Sequence, residues 1–464
     1  MPMVPQWQLR ARFARRLSEM YGREVPAYTT LVAVSEEVNR DVVKRSGAEA
    51  ERLGSIDRIT AERHGAIRVG TPRELNQVAR IFGALGMYPV GFYDLREAAK
   101  SSVPVVSTAF RPVDATELEL NPFRVFTSML TPADPRFFDS ELRRELEAFL
   151  AQRELFSPEL LELADRAERY GELSEADAER FLELAVGAFE LSREPIDRVW
   201  YERLEKVSAV AADIGGVRST HINHLTPRVL DIDELYRRMS ERGIRMIDEI
   251  QGPPRWHGPD VLLRQTSFRA LDERRPMREP DGTVVDGSLR VRFGEVEARG
   301  IALTPAGRSL YDDMLAEVDR ILAEAPDRSR QQVAREVWER RLPDTERGLL
   351  GANLAYFTFT VRDDHPDGEP PTTLTELVDQ GWVTATPIVY EDFLPRSAAG
   401  IFQSNLSSEG TRDDRKEGVR YDLATLAGAM GRDIHDPFAL YERQQNASIA
   451  QVAAKLGIPE LRTT

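Results

Sequence analysis

The chain has 464 residues, 41% of them apolar and 30% charged, with a net charge of −15 at neutral pH and no cysteine. This length suits two or three packed units of an ordinary soluble protein. The absent thiols exclude disulfides, thiolate nucleophiles and cysteine metal sites; the acidic balance argues against nucleic acid or an anionic membrane as main partner. No apolar run approaches the roughly 20 residues that span a bilayer. The basic N-terminus lacks the apolar stretch of a secretory signal, and the expected compartment is the cytoplasm.

In chain order, residues 1–60 read as a helical region, with Leu9, Phe13 and Leu17 recurring every four residues. A first unit over 61–132 opens on "RHGAIRVGTPREL". Its start is too short for a helix and reads as a strand carrying His64 and Arg68. Thr71, Pro72 and Glu74 then form a helix start with a capping box. Leu75, Val78, Phe82 and Leu85 supply the apolar stripe, and Gly86 fits the stop. Residues 133–206 are charged and rich in Leu and Glu, and read as a helical insertion.

A second unit over 207–305 repeats the first. "NHLTPRVLDIDEL" aligns at an offset of 160, pairing His64 with His224, Arg68 with Arg228 and Glu74 with Glu234. Asp231 suits its cap and Gly243 its stop. "VVSTAFRPVD" (105–114) matches "LRQTSFRALD" (263–272), and "PFRVFTS" (122–128) resembles "RVRFGE" (290–295), which sets Ser128 against Glu295. Matches in the same order over four segments indicate duplicated modules. The expected fold is therefore α+β: paired βαβββ modules forming a metal-containing, barrel-like sheet, with a helical insertion and helical N- and C-terminal regions. Residues 306–464 form the C-terminal region, with a pocket loop around "LPRSAAGIFQSNL".

The duplication carries the chemistry. Of six histidines, His64 and His224 occupy equivalent places, so modules paired about a pseudo-twofold axis, with equivalent strands facing each other across a shared barrel, bring them together. Imidazole is a common ligand of catalytic iron and zinc. Glu295 supplies the third ligand, with Glu297 on the same strand face as the open alternative. Two His and one carboxylate form the facial triad of non-haem Fe(II) oxygenases; a His₂Glu zinc site is the competing assignment. In a strand, Arg68 shares a face with His64 and is placed to clamp a substrate carboxylate. His221 faces the other side of a regular strand and is a lesser ligand candidate or a group supporting the ligands, Gln265 and Thr266 lie in or beside the module core, and Ser397 lies in an apolar loop able to close a pocket. His257, His365 and His435 are expected in loops or beside helices.

The strings "ERHGAIRVGT", "STAFR", "PFRVFTS", "HINHLTPR", "LLRQTSF", "RFGEVEARGIALTP" and "VYEDFLPRSAAGIFQSNL" resemble the 2-oxoadipate dioxygenase/decarboxylase family, within the vicinal oxygen chelate superfamily, over about residues 6–450. The resemblance implies an Fe(II) enzyme of lysine catabolism that converts 2-oxoadipate and O₂ to D-2-hydroxyglutarate and CO₂. It implies His64, His224 and Glu295 as metal ligands, Arg68 as the carboxylate-binding residue of the reaction, and Arg396 and Ser397 in a substrate-pocket loop. Arg396 stands where a small apolar residue is expected. The alternatives are a metal-dependent glyoxalase-type isomerase or lyase using Zn²⁺ or Ni²⁺, or a small-molecule binding protein on the same modules.

Overall fold

The computed structural model describes residues 2–97, 102–290, 292–394, 412–413 and 415–462. The chain opens with β1 (Met3–Pro5) and the helices Gln6–Glu24, Pro26–Ser46 and Ile56–Ala61. The first module follows as β2 (Arg63–Val69), helix Pro72–Ala84, β3 (Tyr88–Asp94), β4 (Val105–Arg111) and β5 (Arg124–Leu130). Helices Ser140–Ala151, Pro158–Tyr170, Glu175–Gly187 and Arg198–Glu205 make the insertion, with short strands β6 (Glu172–Ser174) and β7 (Ile196–Asp197). After helix Ala209–Gly215 come β8 (His224–Pro227), helix Ile232–Glu241, β9 (Leu263–Phe268), β10 (Glu273–Arg278), β11 (Val284–Leu289) and β12 (Gly294–Arg299). Among its described residues, the C-terminal region holds helices from Pro305–Glu324 to Pro437–Leu456 and the strand pair β13 (Phe357–Val361) and β14 (Val383–Pro387).

Local chemistry sets the helix ends as the sequence predicts. Thr71 Oγ1 accepts from the Glu74 amide at 3.2 Å, and the Glu74 carboxylate accepts from the Gly70 amide at 2.6 Å. Asp231 accepts from the Glu234 amide at 3.0 Å. Gly86 and Gly243 follow the two helices with φ of +66° and +75°, the left-handed conformation that needs no Cβ.

The modules join edge to edge. One sheet runs β3-β4-β5-β2-β8, with β2 and β8 antiparallel. It extends through the parallel bridge Arg228–Glu297 to β12, which pairs with β9. The partner of β9 on its far side is reduced to bridges at Met246 and Gln251. In the β2–β8 ladder Gly65 opposes Leu225, and these residues are equivalent at the offset of 160. The pseudo-twofold axis therefore passes through this pair. His64 and His224, each one residue before it, fall on the same face. A Cβ on Gly65 would stand 2.8 Å from Ile222 Cδ1 and 3.2 Å from Leu225 Cδ2, so glycine lets the two strands meet here.

Two expectations are corrected. Equivalent strands pair along their edges instead of facing each other across a barrel, and among the described residues the strands form no closed barrel. The pairing of Ser128 with Glu295 is also displaced. Arg68 opposes Ser128 and Arg228 opposes Glu297, while Ser107 opposes Ser128 and Gln265 opposes Glu297. The counterpart of Ser128 is thus Glu297, and that of Glu295 is Phe126. The cause is the hairpin β10–β11, which lengthens the link between β9 and β12 and breaks the constant offset.

The sheet is buried on both faces, as β5, with every residue buried, illustrates. Ile67, Val69, Val106 and Val125 pack on the side of the N-terminal helices. Ala66, Ala109 and Phe126 pack on the opposite side, with Phe293 and Phe393. The histidines lie on this second side, next to Ala66. No described helix is long and apolar enough to cross a membrane.

Candidate metal centre

His64, His224 and Glu295 are all buried, and one ligand atom from each lies within 4.8 Å of the others. His64 Nε2 stands 3.5 Å from Glu295 Oε2, and His224 Nε2 stands 3.5 Å from Glu295 Oε1. The two ring planes are near perpendicular, with centroids 5.3 Å apart. Register explains the convergence: β8 brings His224 beside Ala66, two residues along β2 from His64 and on the same face, and β12 carries Glu295 in from the next strand. Aromatic side chains wall the group. Phe293 stacks on His224, and Phe393 meets His64 edge-on at 5.0 Å.

The two rings have unlike surroundings. His64 Nδ1 lies 2.8 Å from Glu297 Oε2, a close contact off the line of an aligned hydrogen bond. His224 Nδ1 lies 3.1 Å from Thr226 Oγ1. Burial opposes the charged form of His64, but Glu297 and Glu295 together override it and raise its pKa. At His224 burial prevails over Glu295, and the pKa falls to about 4. That ring is neutral at physiological pH, the form that ligates metal. Gln265 Nε2 donates to Glu295 Oε2 at 3.4 Å. Thr266 is buried in the adjoining ladder.

Arg68 lies on the same strand face as His64 and is buried. Its Nη1 donates to Asp213 Oδ2 at 2.5 Å. Asp213 also accepts from Asn223 Nδ2 at 2.9 Å and lies 3.3 Å from His221 Nε2. Burial would raise the Asp213 pKa, but His221 and Arg68 override it and hold the carboxyl far below its usual range. His221 thus joins the group around the arginine instead of the metal ligands. Arg228, the counterpart of Arg68, serves structure: it donates to Glu62 Oε2 and Leu53 O, both at 2.8 Å. His257 and His365 are exposed and His435 is half-buried. Arg396 and Ser397 lie outside the described residues.

Asp213, Glu62 and Phe393 escaped the sequence reading. A signal existed for Asp213, since a single acid inside the apolar run "AVAADIGG" marks a buried polar group. Glu62 carried a weaker one, adjoining the repeat. It accepts from Arg124 and Arg228, each at 2.8 Å, just before β2 begins. Nothing in the local sequence points Phe393 at His64.

A family model described as 2-oxoadipate dioxygenase/decarboxylase matches residues 13–405. The 2-oxoadipate dioxygenase/decarboxylase of Mycobacterium bovis is 56% identical over 435 residues, covering 94% of this chain and 96% of that protein. The Pseudomonas putida protein of the same name is 40% identical over 465 residues, with 97% of each covered. The crystal structure of the hydroxyglutarate synthase in complex with 2-oxoadipate from Pseudomonas putida matches with a TM-score of 0.86 at 38% identity, over 99% of this chain and 100% of that one. The likeness spans both modules, the insertion between them and most of the C-terminal region, at identities far above those of a shared fold alone. This chain belongs to the 2-oxoadipate dioxygenase/decarboxylase family.

Proposed function

We propose that the protein is an Fe(II)-dependent dioxygenase and decarboxylase that converts 2-oxoadipate and O₂ to D-2-hydroxyglutarate and CO₂, in lysine catabolism and in the cytoplasm. The observation that carries this reading is the convergence of His64, His224 and Glu295 in a chain whose relatives are named for that reaction. Two imidazoles and one carboxylate fit Fe(II) as a facial triad with positions left open. When bound, the metal supplies a chelation point for the 2-oxo acid and activation of O₂.

The remaining parts are the protein's own. Arg68 recognises the far carboxylate of the substrate, and Asp213, itself held by Asn223 and His221, keeps the guanidinium in place. Arg396 and Ser397 are candidates for substrate contact on the family resemblance alone. Phe126, Phe293 and Phe393 exclude water from the reacting end. The balance requires no other reductant: the 2-oxo acid loses its carboxylate as CO₂, and both atoms of O₂ enter the shorter acid, one in its new carboxylate and one in its hydroxyl.

Turnover of 2-oxoadipate under ¹⁸O₂ by the iron-loaded protein tests this reading. The expected product is 2-hydroxyglutarate carrying both labelled atoms. Unlabelled product, or product formed without O₂, contradicts an oxygenase and favours the isomerase or lyase chemistry of related folds.

A further inference from the structure

Two carboxylates reach the His64 ring from opposite sides. Glu295 stands at Nε2, while Glu297, two residues along β12 and fully buried, stands 2.8 Å from Nδ1, within reach of its proton though off the line of an aligned hydrogen bond. Glu297 is fixed where it is. Arg299 donates to it twice, Nε to Oε1 and Nη2 to Oε2, each at 2.9 Å. Arg299 is itself anchored to the carbonyls of Tyr390 and Asp392 at 2.8 and 3.0 Å. Arg124, 3.7 Å from Glu297, is tied to Glu62 at 2.8 Å and Glu391 at 2.5 Å.

The duplication makes this feature one-sided. Glu297 has Ser128 as its counterpart in the first module, by the ladder registers given above. Ser128 Oγ is occupied with Ser107 Oγ at 2.8 Å. Among the described residues, His224 Nδ1 meets the Thr226 hydroxyl instead, at 3.1 Å. A carboxylate behind a ligating imidazole keeps the proton on the far nitrogen, orients the ring and strengthens it as a donor, whereas a hydroxyl does so weakly.

We propose that Glu297 is a positioning residue that makes His64 the locked, stronger donor of the pair and leaves His224 the weaker, more readily exchanged one. This rests on His64, His224 and Glu295 being the metal ligands. The cage of arginines around Glu297 serves to keep that carboxylate at Nδ1 and away from the metal.

The test is Co(II) affinity of the full chain by chelator competition, together with the visible absorption of bound Co(II). Glu297→Gln is expected to bind about 10–100-fold more weakly and with a shifted spectrum, while Thr226→Val weakens binding less than about threefold. Glu295→Gln is expected to abolish tight binding. Wild-type affinity and spectrum in Glu297→Gln overturn the proposal and leave the ligand reading standing. Tight binding retained in Glu295→Gln but lost in Glu297→Gln overturns both, making Glu297 the ligand. Should Glu297→Gln not fold, Glu297→Gln with Arg299→Gln removes the ion pair as a unit and gives the same readout.

Discussion

Arg68 is a buried cation whose Nη1 is held by Asp213 at 2.5 Å, an arrangement that sets the guanidinium's orientation before any ligand arrives. A charge-assisted hydrogen bond contributes about 1.5–3 kcal/mol. Arg68→Met is therefore expected to lower kcat/KM for 2-oxoadipate about 10–100-fold. 2-Oxohexanoate, which has no second carboxylate, should be turned over equally by both proteins. Steady-state kinetics with the two substrates checks this, and an equal loss on both would place Arg68 outside carboxylate recognition. At this scale the histidine pair was legible because duplication leaves a mark in sequence that no single histidine carries. Glu295 was the sequence's choice of third ligand, but Glu297 stayed open because both lie on one strand face; Glu295 reaches Nε2 of both histidines, whereas Glu297 meets Nδ1 of His64.

The β2–β8 ladder is what turns a repeat into a site. Gly65 opposes Leu225 at the pseudo-twofold axis, and its missing Cβ leaves room for Ile222 and Leu225. Gly65→Ala forces those buried side chains aside, at about 1–3 kcal/mol. The expected outcome is a lower urea midpoint together with weaker Co(II) binding, since the strand that shifts carries His64; unchanged affinity would mean that the ladder does not set ligand spacing. Helix starts at Thr71 and Asp231 were readable from cap chemistry, and the strands between them from residue type. The edge-to-edge joining of the modules was not. A repeat specifies that two units are alike but not which of their edges meet, and β10–β11 disguised the register of β12.

Across the molecule, four buried acids depend on buried arginines. Burial alone would raise the pKa values of Glu62, Asp213, Glu297 and Glu391. Nearby arginines, together with His221 at Asp213 and His64 at Glu297, override burial and lower all four, with Glu391 at about 2. A carboxyl whose pKa is lower folded than unfolded adds stability that is complete above its unfolded value, and that is lost as pH falls through its folded value. With ordinary values of 3.8 for Asp and 4.5 for Glu, urea midpoints are expected to fall steeply from about pH 4.5 toward pH 2. A flat midpoint over that window would contradict the network's contribution. Such long-range pairing, between residues as distant as Arg124 and Glu391, leaves no local pattern in sequence and was invisible there. The α+β class and the helical ends were visible.

The central claim, that three side chains from a duplicated sheet hold a metal that reacts O₂ with a 2-oxo acid, is tested most directly by oxygen consumption. Fe(II)-loaded protein is given 2-oxoadipate under ascorbate in an oxygen electrode, beside His64→Ala. The predicted result is O₂ uptake equal to the 2-oxoadipate consumed, with 2-hydroxyglutarate formed, and none in the variant. No uptake with any 2-oxo acid despite bound iron, or equal uptake by His64→Ala, would contradict it.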